Sequence, residues 1–496
     1  MNLLSSFFSI CRTLTPIVYA IKEAAGVSYL VGGCVRDLVL GREIKDADVE
    51  VHGLTVEQLE SILRKFGRVR EVGKKFGVLR LDGLDVDWSL PRKDSKGRKP
   101  VVEIDPHMTI EEACRRRDLT MNAMALDLYD VCRKVETGVA IKNPVKDLCI
   151  IDPYGGLQDI ATKQLQMVDE VLFLEDPLRF YRVMQFIGRF EMQPTLQLNK
   201  LCSTMKLWDE QTNAPISKER IFEEIKKLFL QSKRPSLGIR WLRDIGRLQE
   251  IFPELYALIG VPQRTDYHPE GDTFEHTMQT LDAAAQQNMY QTSENLSAED
   301  EKFLIVLTML VHDVGKAAAT DAQLHCAGHD EVGVPLAEKV LKRITDNHFL
   351  LSAVKKLVRY HCMPVYLTNE GVSLKAYKRL ATKLAPEVTL RHVSLVGMVD
   401  ILGRNDKGPY PLAKPELEDH VNRVNLFCAR AQEAQVAHGP EKPVLLGRHL
   451  LDVVAPGAEL GQLLDRAYHI QIEESIKDWQ VLKQRVLAEI KKPTDQ

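Results

Sequence analysis

The sequence lacks the features that indicate a disulfide-bonded or membrane-spanning chain. Its nine cysteines are an odd number, scattered from Cys11 to Cys428, and none forms a C-x-x-C pair. This arrangement argues against a disulfide framework and a zinc ribbon, and it fits the reducing cytoplasm. The longest strong apolar run, residues 303–311, is about half of the ~18 residues that suggest a membrane span. A cytoplasmic chain without a membrane partner is therefore predicted.

Net charge is also nearly absent. The 496 residues include 66 Lys+Arg and 69 Asp+Glu, a net charge of −3, and 45% are apolar. This balance is typical of globular proteins, here of about three domains, and it excludes a disordered or collagen-like chain. The charge is unevenly spread, because residues 51–100 hold 12 basic and 7 acidic residues whereas residues 251–300 hold 1 basic and 9 acidic residues. We expect the two ends of the chain to meet different partners.

Hydrophobic spacing divides the chain into two kinds of structure. Residues 1–20 lack a basic start and a small-residue cleavage site, so they predict an amphipathic helix rather than a signal peptide. Strands are predicted at 28–31, at 48–51 and within 79–90. Helices are predicted at 172–190, 218–230, 236–248, 301–311 and 353–360. The pattern therefore predicts an α/β head followed by a long all-helical body.

A glycine turn and two carboxylates mark the first predicted strands. Gly32 and Gly33 follow a strand and open a helix, so backbone N–H groups can approach a triphosphate closely. Asp46 and Asp48 are two residues apart on the next strand and therefore point to the same side. Two Mg²⁺ ions need such oxygen ligands beside phosphates. The pattern is neither the G-x-G-x-x-G dinucleotide fingerprint nor a Walker A loop.

A third acidic residue is expected on a neighbouring strand. Asp85 and Asp87 share one face of the strand predicted within residues 79–90, and either could complete the carboxylate set. The D-x-D pattern is also common in turns and calcium loops. The glycine turn upstream of Asp46 favours the catalytic interpretation.

Residues 116–123 carry groups suited to holding a nucleotide. Arg117, Asp118 and Asn122 lie at the start of a predicted helix. Arginines can clamp triphosphate oxygens, and a carboxylate can accept a hydrogen bond from a ribose hydroxyl. The alternative is a solvated basic turn without a ligand.

The helix predicted at residues 172–190 carries a polar stripe. Glu175, Arg179 and Arg182 recur at helical spacing, and Asp176 is three residues from Arg179 and therefore adjacent to it. An Asp–Arg pair fixed to each other could read the edge of a nucleobase by hydrogen bonding. The alternative is an exposed salt bridge of little energetic value.

Histidines and aspartates recur through the predicted helical body. Imidazole and carboxylate ligands on buried helices suit a transition-metal or Mg²⁺ site that activates water. A lone histidine is more often a satisfied core residue, but six such residues in this order favour a metal site. The six are His276, His312, Asp313, His329, His361 and Asp400.

Together the head motifs resemble those of class II tRNA nucleotidyltransferases, the CCA-adding enzymes and their bacterial poly(A) polymerase relatives. The resemblance runs from about residue 29 to residue 252 and implies a polymerase-β-like nucleotidyltransferase head. The catalytic, Mg²⁺-binding carboxylates that it implies are Asp46, Asp48 and Asp87. The implied nucleotide-binding residues are Gly32, Gly33, Arg36, Arg117, Asp118, Asn122, Asp176, Arg179 and Arg182. Asp176 and Arg179 resemble the pair that selects CTP or ATP. Trp88 departs from the family pattern, in which this strand is usually β-branched.

The order of the later histidines and aspartates resembles the HD phosphohydrolase superfamily. The implied metal ligands are His276, His312, Asp313 and Asp400, and His329 and His361 would support a second metal or the phosphate. Bacterial CCA-adding enzymes with a C-terminal HD domain are similar to this chain over nearly its whole length. This resemblance implies an α+β chain of four parts: a nucleotidyltransferase head at 1–160, a helical neck and body at 161–262, an HD domain at 263–408 and a helical tail at 409–496.

The leading hypothesis is template-independent addition of CCA to the 3′ end of tRNA from CTP and ATP. It includes Mg²⁺ at the head and a second, HD-type activity as a phosphatase or 2′,3′-cyclic phosphodiesterase that uses a divalent transition metal or Mg²⁺. One alternative is a poly(A) polymerase, which shares the head motifs. The other is an HD phosphohydrolase whose head only binds RNA, and the intact carboxylates argue against it. The oligomeric state is left open, and a homodimer is compatible with the sequence.

Overall fold

The computed structural model describes residues 3–44, 47–72, 78–94, 102–209, 213–405 and 416–490. The chain divides into two compact units. The first comprises Met1–Leu228 and Asp244–Arg247, and the second comprises Phe229–Arg243 and Leu248–Gln496. No helix within the described ranges is long and apolar enough to cross a membrane.

The first unit contains all the strands of the described residues. They are β1 (Val27–Val31), β2 (Ala47–His52), β3 (Val69–Val72), β4 (Val78–Leu81), β5 (Val86–Ser89), β6 (Arg92–Asp94), β7 (Val102–Ile104), β8 (Ala125–Asp127), β9 (Ile150–Ile151), β10 (Gln164–Leu165), β11 (Gln193–Pro194), β12 (Trp208–Asp209) and β13 (Ala214–Pro215). Seven of them form one sheet in the order β3-β4-β5-β2-β1-β8-β9. In this sheet β2 and β5 run parallel, while β1 is antiparallel to both β2 and β8.

The next helices of the described residues begin in the first unit. They are α1 (Leu3–Glu23), α2 (Gly33–Val39), α3 (Val56–Leu63), α4 (Ile110–Arg115), α5 (Leu128–Glu136), α6 (Pro144–Asp147), α7 (Gly156–Thr162), α8 (Glu170–Leu174), α9 (Leu178–Phe190), α10 (Leu196–Thr204) and α11 (Lys218–Gln231), with a 3-10 turn at Thr120–Asn122. The predicted N-terminal helix is confirmed as α1. Its Cys11, Leu14, Val18 and Ile21 are buried in the same core as the sheet, as expected of an amphipathic helix.

The second unit is entirely helical within the described residues. Its helices are α12 (Ser236–Asp244), α13 (Leu248–Ile251), α14 (Pro253–Tyr256), α15 (Thr273–Gln286), α16 (Ala298–Val311), α17 (Lys316–Ala319), α18 (His329–Ile344), α19 (His348–Tyr360), α20 (Met363–Tyr366), α21 (Leu374–Leu384), α22 (Leu390–Leu402), α23 (Glu416–Glu433), α24 (Ala458–Glu474) and α25 (Trp479–Ile490), with a 3-10 turn at Gly447–His449. Helix α16 is buried along almost its whole length from Phe303 to Val311, which is typical of a helix that other helices surround. Helices α24 and α25 share a small core of their own. The predicted α/β head and helical body are confirmed.

Three predicted helices differ in detail from the structure. The helix predicted at 172–190 is interrupted at Pro177, because proline has no N–H with which to continue the hydrogen-bond ladder. The helix predicted at 236–248 ends at Asp244, and Gly246 then takes a left-handed backbone conformation (φ 75°). The helix predicted to start at residue 116 is only the 3-10 turn that follows the end of α4.

The 3-10 turn is packed closely against the start of α7, which generates a prediction about stability. A Cβ atom added at Gly156 would lie 2.3 Å from the carbonyl oxygen of Thr120. We expect Gly156→Ala to lower the free energy of unfolding by about 1–3 kcal/mol, as overpacking does. Urea denaturation followed by circular dichroism measures the change.

The matched control is Gly461→Ala in α24, where an added Cβ meets no atom within 4 Å. Alanine is a better helix former than glycine, so this control is expected to keep or slightly raise stability. An unchanged urea midpoint for Gly156→Ala would contradict the close approach.

Candidate functional site

One face of the head's sheet carries two carboxylates directly opposite each other. Asp48 on β2 and Asp87 on β5 are register partners in the parallel pair. Their strand neighbours Val49 and Trp88 are buried, so the carboxylates lie on the opposite, open face. Adjacent carboxylate oxygens are the donors that hard divalent cations bind, and the two residues therefore fit Mg²⁺. Asp46, the other predicted ligand, lies outside the described residues.

The register also separates the two candidates for the third carboxylate. Asp87 lies within β5 beside Asp48, whereas Asp85 precedes the strand. An ion pair joins Asp87 to Arg80 of β4. Trp88 is fully buried on the side of the strand away from Asp87. The bulky residue that departs from the family pattern therefore leaves the carboxylate face unchanged.

The glycine turn between β1 and α2 depends on glycine for two reasons. Gly32 has φ 75°, a left-handed conformation that side chains rarely adopt. A Cβ atom at Gly32 would also lie 2.4 Å from Nη1 of Arg117. The turn and the Arg117 guanidinium are thus in direct contact, and Gly33 begins α2 beside them. A backbone turn, a helix N-terminus and an arginine together form a site suited to an anion.

Asp118 is a buried anion that joins the 3-10 turn to α9. Its Oδ1 accepts hydrogen bonds from the backbone N–H of Leu119 (2.8 Å) and from Nδ2 of Asn122 (2.9 Å), and its Oδ2 accepts one from Nε of Arg182 (2.6 Å). Burial acts to raise the pKa of this carboxyl, but the Arg182 charge and the hydrogen bonds lower it to about 2. Asp118 is therefore held ionised.

Arg36 is buried beneath the glycine turn rather than presented on its surface. The side chain is 4% exposed. Its guanidinium donates to both oxygens of Asp37 at 2.9 Å and to Oδ1 of Asn122 at 2.7 Å. It also lies 4.7 Å from the ring centroid of Phe190, within cation–π range. These contacts brace the turn against α9.

The predicted Asp176–Arg179 pair takes a different form. Asp176 lies in the α8–α9 connection and is ion-paired with Arg220 of α11 at 3.0 Å. Arg179 donates instead to the carbonyl oxygens of Leu172 (2.7 Å) and Arg116 (2.6 Å). The expectation of a pair fixed to each other is therefore wrong in this structure, because the break at Pro177 places Asp176 outside α9.

Arg220 is a site residue that the sequence pattern did not indicate. It lies 44 residues from Asp176, and only the folding of α11 beside the α8–α9 connection brings the two together. Glu175 also lies in that connection, at the C-terminal cap of α8. The head thus takes its cation-binding carboxylates from β2 and β5, and its anion-binding groups from the glycine turn and its neighbours.

The second unit gathers the predicted histidines and aspartates into one cluster. His276 lies on α15, His312 and Asp313 follow α16, and Asp400 lies on α22. Nε2 of His276 is 2.9 Å from Oδ1 of Asp400 and 3.5 Å from Oδ2 of Asp313. Nε2 of His312 is 3.2 Å from the same Asp313 oxygen.

The inward atoms of this cluster fit a metal ion. By hydrogen-bond geometry none has a partner among the described residues, although Nζ of Lys316 lies 2.7 Å from the Asp313 oxygen, and all are buried. Buried polar atoms are normally satisfied. Two imidazole nitrogens and two carboxylate oxygens are a common ligand set for a divalent transition metal. The four atoms are His276 Nε2, His312 Nε2, Asp313 Oδ2 and Asp400 Oδ1.

Glu270 orients the ring of His276, and no sequence pattern indicated this role. Nδ1 of His276 donates to Oε1 of Glu270 at 2.6 Å, and Nδ1 of His268 lies 2.9 Å from the same oxygen. Burial acts to raise the pKa of Glu270, but the two imidazoles lower it to about 2. A carboxylate behind a ligand histidine fixes the ring's tautomer and orientation. Glu270 lies in a loop, so no periodicity marked it.

Two cations balance the carboxylates of the cluster. Nζ of Lys316 lies 2.7 Å from Oδ2 of Asp313, and Nη2 of Arg404 lies 2.5 Å from Oδ2 of Asp400. Burial opposes ionisation, yet the neighbouring His312 and Lys316 hold the pKa of Asp313 well below its usual value, and Arg404 has the same effect on Asp400. Both aspartates are therefore available as anionic ligands.

The two supporting histidines face the other oxygen of Asp313. His329 begins α18 and His361 follows α19. Their Nε2 atoms lie 3.4 Å and 3.7 Å from Oδ1 of Asp313. The four predicted histidines therefore converge on the carboxylate of Asp313, and Asp400 joins the cluster through His276.

A cleft of 630 Å³ opens beside the cluster. The aromatic rings of Tyr267 and His420 lie on its wall with their centroids 5.6 Å apart. Four cationic side chains line it, each ion-paired with an aspartate, and such side chains can also bind a phosphate group. The cationic residues are Arg264, Lys316, Arg404 and Arg423.

Three segments of the chain match known protein-family models. Residues 28–166 match the poly A polymerase head domain, residues 214–258 match the probable RNA and SrmB-binding site of polymerase A, and residues 273–385 match the HD domain. A multifunctional CCA protein of Ralstonia nicotianae is 37% identical over 322 residues, which are 64% of this chain and 67% of that protein. Another, from Mannheimia succiniciproducens, is 30% identical over 397 residues, which are 77% of this chain and 86% of that protein.

This chain belongs to the family of multifunctional CCA proteins. The Bacillus stearothermophilus CCA-adding enzyme, solved in complex with CTP, has a similar fold, with a TM-score of 0.57, 18% identity and coverage of 97% of this chain and 98% of that chain. The resemblance to bacterial CCA-adding enzymes with a C-terminal HD domain, inferred from the motifs, is confirmed. The predicted α+β class, with a polymerase-β-like head, a helical body and an HD domain, is confirmed as well.

The buried Asp118 generates a prediction about pH. Its folded pKa of about 2 lies below the ordinary value of 3.8, so the stabilisation is present above pH 3.8 and is lost as pH falls toward 2. A shift of this size corresponds to about 2 kcal/mol. We expect Asp118→Asn, which cannot titrate, to lose that part of the pH dependence.

Urea unfolding of both proteins between pH 5 and pH 2.5, with circular dichroism as the probe, tests this expectation. The wild-type free energy of unfolding should fall more steeply with decreasing pH than that of the variant. Equal slopes would show that Asp118 does not keep its charge in the folded head.

Proposed function

We propose that this chain adds C, C and A to the 3′ end of tRNA from CTP and ATP, with release of pyrophosphate. The observation that carries the proposal is the pairing of Asp48 and Asp87 on one open face of the sheet. That pairing occurs in a chain of the multifunctional CCA family. The match to an RNA-binding region at residues 214–258 supports tRNA as the partner.

The head carboxylates would hold Mg²⁺ as the cofactor. Asp48 and Asp87, with Asp46, supply the oxygen ligands. Mg²⁺ bound there would supply Lewis-acid assistance to attack by the RNA 3′-hydroxyl and to departure of pyrophosphate. The exposed position of Asp48 leaves room beside it for both the RNA end and the triphosphate.

The glycine turn and its neighbours would hold the triphosphate and the ribose. The backbone of Gly32 lies against the Arg117 guanidinium, and Gly33 begins α2 next to it. An anion there would gain both N–H donors and a positive charge. Asp118, kept ionised by Arg182, can accept from a ribose hydroxyl. Arg36, Asn122 and Arg182 act behind this surface by keeping the turn and α9 in position.

Selection of the base would fall to the α8–α9 connection. Asp176 is exposed in part and already bonded to Arg220, so reading a base requires it to exchange that partner for the base edge. Arg179 is held by the carbonyl oxygens of Leu172 and Arg116. The geometry thus makes Asp176 the adjustable member of the pair and Arg179 the fixed one.

The HD domain would carry a second, hydrolytic activity. The cluster around Asp313 fits a divalent metal, and its imidazole ligands favour a transition metal over Mg²⁺. A metal bound there supplies an activated water for attack on phosphorus. The adjoining cationic cleft with Lys316 and Arg404 suits a phosphomonoester or a 2′,3′-cyclic phosphate.

The cytoplasm is the compartment that we propose for this chain. All nine cysteines are described and none is in a disulfide, which fits a reducing environment. A homodimer remains a proposal that size measurements in solution would test.

The first functional prediction concerns transfer of nucleotides. We expect Asp48→Ala to reduce incorporation of both CTP and ATP into tRNA lacking CCA by roughly a thousandfold, because lost metal ligation removes about 4 kcal/mol of transition-state stabilisation. Radiolabelled nucleotide incorporation, with CTP and ATP given separately and together, is the measurement.

Asp82→Ala is the matched control, since Asp82 pairs with Arg70 at the surface of the same sheet and should leave activity unchanged. Equal activity of Asp48→Ala and wild type would contradict the assignment of the site. Long tails from ATP alone would identify the chain as a poly(A) polymerase instead.

The second functional prediction separates the two activities. We expect Asp313→Ala to abolish metal-dependent hydrolysis of p-nitrophenyl phosphate and of 2′,3′-cyclic AMP while leaving CCA addition intact. The exposed Asp321→Ala is the matched control. Loss of hydrolysis in Asp48→Ala as well, or its survival in Asp313→Ala, would show that the HD cluster is not an independent site.

A further inference from the structure

Four charged residues form a row across the open face of the head's sheet. Arg80 of β4 lies opposite Asp87 of β5, which in turn lies opposite Asp48 of β2. On the other side of Arg80, Arg70 of β3 is its register partner. Side chains directly opposite each other on one face of a sheet are close neighbours. The row therefore sets two cations next to the two carboxylates of the proposed Mg²⁺ site.

The face that carries this row is turned away from the core. Leu79 and Leu81, the strand neighbours of Arg80, are buried, whereas the Arg80 side chain is 53% exposed. Successive side chains of a strand point to opposite faces, so the Arg80 guanidinium lies on the same open face as Asp87. Both members of this ion pair reach solvent, and each can therefore exchange its partner.

Arg80 holds the carboxylate that the proposed Mg²⁺ site needs. Its Nε donates to Oδ1 of Asp87, and its Nη2 donates to Oδ2 at 3.1 Å. One planar guanidinium thus engages both carboxylate oxygens, as in other bidentate arginine–carboxylate pairs. Mg²⁺ takes carboxylate oxygens as ligands. An ion at Asp87 and the ion pair with Arg80 consequently compete for the same atoms.

The neighbouring arginine makes loss of this carboxylate costly for Arg80. Like charges directly opposite each other in a sheet repel, and each of the two arginines is paired with its own carboxylate. Arg70 pairs with Asp82, with 2.6 Å between Nε and Oδ1, and Arg80 pairs with Asp87. Transfer of Asp87 to a metal would leave the Arg80 guanidinium beside another cation without that compensating charge. A new anion near Arg80 would then be favoured.

The order of the strands indicates which anion lies on that side. The glycine turn follows β1, and the strand order β4-β5-β2-β1 sets it and Arg80 on opposite sides of the carboxylate strands. Phosphoryl transfer requires the attacking and leaving oxygens on opposite sides of the phosphorus. With the triphosphate at the glycine turn, the attacking RNA 3′ end comes from the β4 side. The phosphates nearest Arg80 are therefore those of the RNA.

We propose that Arg80 is a positioning residue with two successive partners. It holds Asp87 in the metal-free head, and it binds a phosphate near the RNA 3′ end once that carboxylate ligates Mg²⁺. The inference rests on the proposed function, since it takes Mg²⁺ at Asp48 and Asp87 and an RNA acceptor as given. Metal binding and RNA binding are thereby coupled, and each strengthens the other to the same extent.

Manganese titration of the full-length protein tests the first partner. Mn²⁺ suits the same oxygen ligands as Mg²⁺, and free Mn²⁺ is measured by electron paramagnetic resonance without RNA or nucleotide. The binding that Asp48→Ala loses defines the head site. We expect Arg80→Met to bind Mn²⁺ there about twofold to fivefold more tightly than wild type, because a partly exposed ion pair no longer competes.

Arg70→Met is the matched control. It removes the same charge from the residue directly opposite Arg80 and leaves the pair with Asp87 in place, so it should bind Mn²⁺ as the wild type does. Arg80→Lys is a second variant that keeps the charge but not the planar, two-pronged geometry. Its affinity for Mn²⁺ should fall between those of wild type and Arg80→Met.

Nucleotide incorporation at saturating Mg²⁺ tests the second partner. We expect Arg80→Met to raise KM for tRNA lacking CCA by about tenfold, as loss of a charge-assisted hydrogen bond does, and to leave KM for CTP unchanged. Affinity for the same tRNA, measured by fluorescence anisotropy with Mg²⁺ present, should depend less on salt. One lost contact to a single-stranded phosphate lowers the slope of log affinity against log salt by about 0.7.

Different results would overturn the two halves of the proposal. Unchanged Mn²⁺ affinity in Arg80→Met, or an equal gain in Arg70→Met, would show that Arg80 does not compete for Asp87. An unchanged KM for tRNA, or a raised KM for CTP alone, would remove RNA phosphate as the second partner. Failure of the wild type to incorporate CTP and ATP would remove the proposed function, and the Mn²⁺ titration would still decide the first partner.

Discussion

The head depends on one buried ion pair, between Asp118 and Arg182. Without it, an isolated carboxylate beneath the surface would be too costly to keep charged. With it, the 3-10 turn is tied to α9, and through Asn122 and Arg36 the same network reaches the glycine turn. The Arg117 guanidinium and the strand carboxylates are consequently held on a rigid frame, which is what in-line phosphoryl transfer requires of its positioning groups.

The HD cluster applies the same constraint around Asp313. Its buried carboxylate is balanced by Lys316 and approached by four histidines, so each oxygen serves a different set of donors. The apolar helix α16 carries His312 and Asp313 to its end. The close packing of α16 inside the second unit therefore fixes the position of His312 and Asp313, because they directly follow its buried residues.

Sequence patterns predicted some parts of these sites better than others. The strand period placed Asp46 with Asp48 on one strand face and Asp85 with Asp87 on another, and only the register of the structure sets Asp48 opposite Asp87. The helical period predicted the wrong partner for Asp176. Pro177 interrupts the helix, so Asp176 lies before α9 and forms an ion pair with Arg220. Glu270 carried no periodic signal, since it lies in a loop between α14 and α15. Residue periodicity predicts the faces of regular helices and strands, and it gives no information about residues where those elements end.

The sequence by itself determined the family, the α/β head, the helical body and the residue types that carry the chemistry. These follow from motif spacing and hydrophobic period, which are properties of neighbouring residues. Only the tertiary structure decided which partner each charge takes: Arg220 for Asp176, Arg182 for Asp118, and His276 for Asp400. Such partners are tens of residues or more apart in the chain. A buried charge is costly unless it is paired. The fold therefore settles on the pairs that leave few buried charges without a partner.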